Sequence, residues 1–221
     1  MKPHVQEISE VGSTLHTIAQ ISYKLQQKVS PVLVFNIDNP MKNISRLKLY
    51  KLLKNRGFQP LALLKNILSP NQIRLFNTSN DTFYLKKGMF TGSVCAKRFV
   101  KIWWQDVVER LLASMNYELD YKDMIVDTKW IAVFLPTLDP QFIQNLVNAF
   151  DNIVQEFELQ IINVRMLYEF GSGRLLKISS SHSAISNSVI YMNGIAIQAT
   201  GQIQYSILDR NLQNRAKKYS V

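Results

Sequence analysis

Residues 129–168 read KWIAVFLPTLDPQFIQNLVNAFDNIVQEFELQIINVRMLY, an apolar run, a capped amphipathic run and a second apolar run with almost no spare residues between them. Trp130–Leu135 is short and rich in β-branched and aromatic residues, which suits a strand covered on both faces. Pro136 stops it. Asp139 is placed to cap a helix with Pro140 at its first position, where a missing N–H removes no hydrogen bond because that donor has no partner inside a helix. Phe142, Ile143, Leu146, Val147, Phe150, Ile153, Val154 and Phe157 recur at steps of one, three and four, so they share one face, with Gln144, Asn148, Asp151 and Gln155 opposite. Leu159–Tyr168 supplies a second strand. A helix bridging two strands ordinarily makes a right-handed crossover between parallel neighbours, and that arrangement is the expectation here.

Towards the N-terminus, Leu15, Ile18, Ala19, Ile21 and Leu25 give Ser13–Lys28 a helical period, with Ser13 or Thr14 as cap and Pro31 closing it. Val32–Ile37 reads as a buried strand and Asp38-Asn39-Pro40 as the turn after it. Ser45–Asn55 reads as a basic amphipathic helix ended by Gly57, with Leu47, Leu49, Leu52 and Leu53 towards the core. Phe58–Leu68 is expected to be helical. Gln72–Phe76 and Thr82–Lys86 flank the polar cluster Asn77–Asp81 and predict a hairpin. Gly88–Lys97 is read as a further strand, and Arg98–Met115 as a helix with Phe99, Ile102, Trp103, Val107, Leu111 and Leu112 on one side.

Towards the C-terminus, Glu169–Arg174 is a turn by composition, Leu175–Ile178 a strand and Ser179–Ser183 a polar loop. Val189–Met192 and Ile195–Gln198 are joined by Asn193-Gly194, the pair that most readily supplies two positive φ angles for a type I′ hairpin. Gln202–Leu208 alternates as a half-exposed strand does, and Asp209–Val221 reads as a basic extension. The class is α+β: a mixed sheet with a central strand-helix-strand unit and C-terminal antiparallel hairpins. Charge divides the chain into a basic half, 1–105, and an α/β half with an acidic helix, 106–221, either as two domains or as one continuous domain.

The composition, 47% hydrophobic and 10% aromatic, is that of a folded globular protein. A single cysteine, Cys95, excludes an internal disulfide and suits a reducing compartment. No run reaches the roughly 18 apolar residues of a membrane span, and residues 1–10 lack the apolar segment of a secretory signal. The expectation is an intracellular protein of the cytoplasm or an organelle matrix, without a transmembrane segment.

Chemistry is sparse. His4, His16 and His182 together with Cys95 give no pair at metal-ligand spacing, and Cys95 sits where a small core residue fits. The serines around His182 suit either a phosphate-contacting loop or a solvated turn. Glu118, Asp120, Asp123 and Asp127 could hold a divalent cation, but the glycine turn and closing glutamate of a calcium loop are missing, so a solvated acidic connector is the alternative. No nucleotide-binding glycine loop or zinc-protease helix occurs. No catalytic residue, metal or cofactor is expected.

The net charge of +10 is segregated. Residues 41–101 hold thirteen Lys and Arg against Asp81 alone, whereas residues 106–169 hold eleven acids against four bases. Such asymmetry points to a polyanionic partner. Arg46, Lys48, Lys51, Lys54, Arg56, Lys65, Arg74, Lys86, Lys87, Lys97, Arg98 and Lys101, with Arg215, Lys217 and Lys218 in the tail, are the candidate phosphate contacts. Tyr50, Phe58, Phe76, Phe83, Tyr84, Phe90 and Trp104 lie among the first twelve as rings on which bases could stack. The reading is a non-enzymatic nucleic-acid-binding protein, with RNA the expected partner, acting as a structural component of a ribonucleoprotein assembly. The acidic half would face a protein partner, and opposite charges would favour head-to-tail self-association. Anionic lipid is the other physical option, and an enzyme with an unrecognised site the third.

Gly194-Ile-Ala-Ile-Gln-Ala-Thr-Gly201 resembles the glycine-bounded strand in the C-terminal domain of the third protein of the small ribosomal subunit, as found in divergent organellar ribosomes. The resemblance covers eight residues and implies a ribosomal RNA partner. It departs from the family at Gln202, where an arginine is usual, and in lacking the Gly-x-x-Gly loop of the family's RNA-binding domain. A basic matrix protein of an enveloped RNA virus would match charge and size as well.

Overall fold

The computed structural model describes residues 14–28, 30–59, 68, 72–74, 82–84, 86–89, 94–116, 118–168, 172–177, 183–192 and 195–204; for residues 14, 72–74, 82–84, 94, 172–177 and 183–186 it describes the backbone alone. The chain forms two compact units, each assembled from three segments. The first takes residues 1–11, 36–121 and 145–162; the second takes 12–35, 122–144 and 163–221.

The second unit carries α1 (Thr14–Gln27), most of β1 (Val32–Ile37), β4 (Met124–Val126), β5 (Trp130–Phe134), most of β6 (Ile161–Leu167), β7 (Ser172–Lys177) and β8 (Ser183–Asn187). These six strands form one sheet in the order β4-β5-β1-β6-β8-β7. The sheet is mixed: β6 pairs parallel with β8, while β4–β5 and β7–β8 are antiparallel. All five residues of β5 are buried, as are five of the six in β1, which is why both read as continuous apolar runs rather than alternating ones. A separate three-stranded sheet, β11-β10-β9, follows from β9 (Val189–Met192), β10 (Ile195–Gln198) and β11 (Ile203–Gln204). The pairing of Ile195 with Met192 leaves two residues for the hairpin loop, the number Asn193-Gly194 predicts.

The core of this unit joins Ile18, Ile21 and Leu25 of α1 to Val32, Val34, Ala132 and Phe134 of the large sheet and to Ile190, Met192, Ile195 and Ile197 of the small one. Gly201 closes against α1 at φ +82°, where a Cβ would come within 2.7 Å of the Ser22 carbonyl oxygen. The Ser22 hydroxyl donates to the Gly201 carbonyl at 2.5 Å. That tie of the glycine-bounded strand to a helix accounts for a glycine at this position.

The first unit holds α2 (Pro40–Asn43), α3 (Arg46–Asn55), β2 (Gln72–Arg74), β3 (Thr82–Tyr84), α4 (Val94–Ser114) and α5 (Pro140–Gln155) from Asn145 onward. Asp139 caps α5 through both carboxylate oxygens, which accept from the amides of Gln141 and Phe142. The whole apolar face from Phe142 to Phe157 is buried. Part of it meets another helix: Phe150 stacks on Trp104 of α4 with centroids 6.4 Å apart, and Phe157 stands edge-on to Trp103 at 5.9 Å.

Several expectations are corrected. β5 and β6 are not neighbours, because β1 lies between them; the periodicity of a helix says that its flanking strands share a sheet, not which strand fills the gap. The described residues of Gly88–Lys97 are not strand. Gly88 and Met89 are irregular and α4 has begun by Val94, four residues before the expected start. Asp38-Asn39-Pro40 is more than a turn, since Asn39 accepts from the Met41 amide as N-cap of α2 with Pro40 at its first position. Ser183 belongs to β8 rather than to a loop. The strand expected at Leu175–Ile178 runs from Ser172 to Lys177. Residue 105, the expected boundary, falls inside α4. The β2–β3 hairpin is present in backbone. The Phe58–Leu68 helix, most of Gln202–Leu208 and the C-terminal extension lie outside the described residues, apart from Phe58, Gln59, Leu68 and Gln202–Gln204.

Candidate nucleic-acid interface

α3 exists because Leu49 and Leu53, four apart, form a stripe that is fully buried, leaving Lys48, Lys51 and Lys54, three apart, exposed. The leucine assignment needs one correction: Leu47 is 60% exposed and Leu52 half-buried. Gly57 terminates the helix at φ +74°.

Lys86 and Lys87 come from a distant part of the sequence to the first turn of this helix. Lys87 forms an isolated antiparallel bridge with Ser45, the N-cap of α3. The Lys86 carbonyl accepts from the Arg46 amide at 3.2 Å, and the amides of Gly88 and Met89 donate to Ile44 and Met41 at 2.8 and 2.7 Å. Gly88 makes this possible with φ +71° and by lying directly against the Lys42 backbone. α3 also packs on α4, whose Lys97 and Arg98 are exposed and whose Lys101 is half-buried. The Arg98 guanidinium lies 5.6 Å from the Phe58 ring, which is in turn edge-on to Phe99.

The fifteen candidate cations therefore sort into groups. Lys48, Lys51, Lys54, Lys86, Lys97, Arg98 and Lys101 make no ion pair among the described residues. Arg46 is corrected: it is 2% exposed, its Nε donates to the Leu68 carbonyl at 3.0 Å, and burial pulls its pKa down, so it is part of the core of this unit. Arg56 is committed elsewhere, to Glu109 at 2.5 Å and Asp106 at 2.6 Å, which push its pKa up against the opposing effect of burial. Lys87 pairs with Glu158 at 3.3 Å. The side chains of Lys65, Arg74, Arg215, Lys217 and Lys218 lie outside the described residues.

Charge segregation in sequence is thus partly undone in space. Asp106, Glu109, Glu156 and Glu158, four of the acids assigned to a protein partner, pair with Arg56, Arg110 and Lys87 within one unit. Glu156 holds Arg110 at 2.5 Å and raises its pKa. Of the proposed stacking rings, Trp104 is fully buried, Phe58 and Tyr50 are half-buried, and the side chains of Phe76, Phe83, Tyr84 and Phe90 lie outside the described residues.

The alternative chemical sites look different in three dimensions. Cys95 is half-buried rather than core, and His16 is exposed. Asp127 is 3% exposed and is not a solvated connector: its carboxylate accepts from the Thr128 amide at 2.6 Å and its amide donates to the Trp130 carbonyl at 2.8 Å, which builds the two-residue turn from β4 to β5. Among the described residues no group of three His, Cys, Asp or Glu could hold a metal ion. No helix among them is long and apolar enough to cross a membrane.

No family model matches the chain, and no curated protein matches it. Solved structures do. Apo telomerase from Candida tropicalis superposes with a TM-score of 0.64 at 10% identity, over 92% of this chain and 37% of that one. Telomerase from Candida albicans, in complex with the TWJ fragment of telomeric RNA, gives 0.60 at 11% identity over 92% and 36%. The Candida tropicalis telomerase truncated from the C-terminal domain gives 0.55 at 10% identity over 87% and 40%. The chain spans well under half the length of each. What is shared at this identity is the fold.

Proposed function

We propose that the protein binds RNA through α3, Lys86–Lys87 and the first turns of α4, as a non-enzymatic structural component of a ribonucleoprotein assembly. The observation that carries the reading is the group of seven cations, Lys48, Lys51, Lys54, Lys86, Lys97, Arg98 and Lys101, without an ion pair among the described residues of a unit that elsewhere pairs its charges. Ordinary surfaces intersperse both signs. Lys48 to Lys54 advances about 9 Å along the helix axis, and the Lys86 backbone is bonded to Arg46 in the first turn, a layout suited to a run of phosphates. The likeness in fold to a telomerase solved with an RNA fragment supports the same reading.

Filter binding of single-stranded RNA across a salt series tests it. Replacing Lys51, Lys54, Lys86 and Lys97 with glutamine should flatten the slope of log affinity against log salt by up to about 3 units, since each lost contact to a single strand is worth about 0.7. Thermal stability should barely change because exposed charges contribute little to folding. Arg46→Gln should do the reverse, lowering stability while leaving the salt slope in place. RNA binding with no salt dependence, or an unchanged slope in the quadruple variant, refutes the assignment.

Leu47, exposed beside Lys48 and Lys51, favours a second reading, adsorption to an anionic membrane surface. Pelleting with phosphatidylserine vesicles, coupled with indifference to RNA, would establish it.

A further inference from the structure

We infer that Arg98, laid over the Phe58 ring, is a stacking platform for an unpaired nucleobase, so that this surface takes single-stranded rather than duplex RNA. The inference deepens the RNA reading above by naming the class of strand, and rests on it for the identity of the natural ligand.

The platform is built from two places in the chain. Past the end of α3, the Gly57 amide donates to the Lys54 carbonyl and the Phe58 amide to the Leu53 carbonyl, both at 3.0 Å. The positive φ of Gly57 permits that reversal. It delivers Phe58 to α4, where its ring stands edge-on to buried Phe99 with centroids 5.4 Å apart. Backbone and ring are both held, and the residue is half-buried. Arg98 precedes Phe99 on α4, is exposed, and sets its guanidinium over the Phe58 ring, 5.6 Å from the centroid.

Its charge is handled differently from that of the other arginines in this unit. Arg56 and Arg110 each meet two carboxylates, and Arg46 is buried. Arg98 makes no ion pair among the described residues and rests on a π face instead. A contact of that kind restrains a guanidinium without consuming its N–H donors, so less side-chain freedom is left to lose when a ligand arrives. Guanidinium is planar, delocalised and weakly hydrated, and bases stack on it as they do on aromatic rings. Lys97 and Lys101 lie one residue before and three after Arg98 on the same helix, and Lys54 lies four residues before Phe58; none of the three pairs with an acid among the described residues. Ammonium groups around a stacking plane suit a strand whose phosphates flank an exposed base. Inside a duplex the faces of each base are covered by its neighbours, and only an unpaired base offers one.

Arg98→Lys keeps the charge and removes the plane. The full chain is titrated with a single-stranded RNA of mixed sequence, with an abasic strand of the same length and with the same sequence fully paired. The parent should prefer the base-bearing single strand to both others. Arg98→Lys should cut the ratio of base-bearing to abasic affinity about tenfold, the scale of one stacked base, while the salt slope stays because no charge is lost. Phe58→Leu, with its folding checked by urea denaturation, should lower the same ratio by a smaller factor. Without any strand, AMP should shift the Arg98 Nε–H and Phe58 ring resonances in NMR, and ribose phosphate should not. Equal losses on the base-bearing and abasic strands would make Arg98 a phosphate contact and overturn the inference, as would a parent that binds the duplex as tightly as the single strand, or equal shifts with AMP and ribose phosphate. Salt-dependent strand binding in any of those cases leaves the RNA reading standing. Shifts specific to AMP, with no strand bound by any variant, refute the RNA reading and leave the stacking site in place.

Discussion

Gly88→Ala is the sharpest perturbation of the geometry that joins Lys86 and Lys87 to α3. At φ +71°, an alanine pays about 1–2 kcal/mol for the left-handed conformation alone. Its Cβ would also lie 2.7 Å from the Lys42 carbonyl carbon and 3.0 Å from the Lys42 Cα, separations that backbone atoms do not tolerate, so the segment has to move away. Moving it strains or breaks the bonds from Gly88 to Ile44 and from Met89 to Met41, each worth about 1 kcal/mol net. The sum is about 3–4 kcal/mol, a large share of a typical stability of about 5–15 kcal/mol, and corresponds to a fall of roughly 10 °C in melting temperature for a chain of this size. Gly57→Ala isolates the first effect: Gly57 has φ +74°, but a Cβ there would meet nothing within 4 Å, so only the conformational strain applies. Urea denaturation of the parent and both variants measures the difference. If Gly88→Ala loses no more than Gly57→Ala, the close approach to Lys42 is not a constraint, and the positions of Lys86 and Lys87 are not fixed by it.

Trp104→Ala should destabilise by about 3–5 kcal/mol, as large aromatic truncations in a packed core do, with urea denaturation as the measure. RNA should leave tryptophan fluorescence unquenched, since Trp103 and Trp104 are fully buried and Trp130 is 5% exposed; quenching would mean that a tryptophan reaches a base after all. Because the Glu158 carboxyl is held below its ordinary value of 4.5, its contribution to stability is present above that pH and is lost as pH falls through the folded-state value. Lys87→Gln should move the Glu158 titration, followed by carboxyl NMR, back upward; an unmoved midpoint would show that Lys87 does not hold the charge.

What the sequence determined by itself was whatever depends on neighbours in the chain. Asp139-Pro140 and the steps of one, three and four specified α5 and its buried face, because capping and helical period are local. Asn193-Gly194 set the register of β9 and β10 in the same way. Asn39-Pro40 carries the same cap-and-proline signal and could have announced α2. The tertiary structure decided what depends on residues far apart. That β1 separates β5 from β6 is invisible to periodicity, since either strand order buries the same apolar runs. Arg46 and Lys48 are equally basic in the sequence, but only the fold places one beside the Leu68 carbonyl and the other in water. The charge count could locate a polyanion-binding segment and could not foresee that Arg56 and Lys87 would be answered by Asp106, Glu109 and Glu158. Ion pairs are chosen by distance in space, and folding brings together acids and bases that lie 50 to 71 residues apart in the chain.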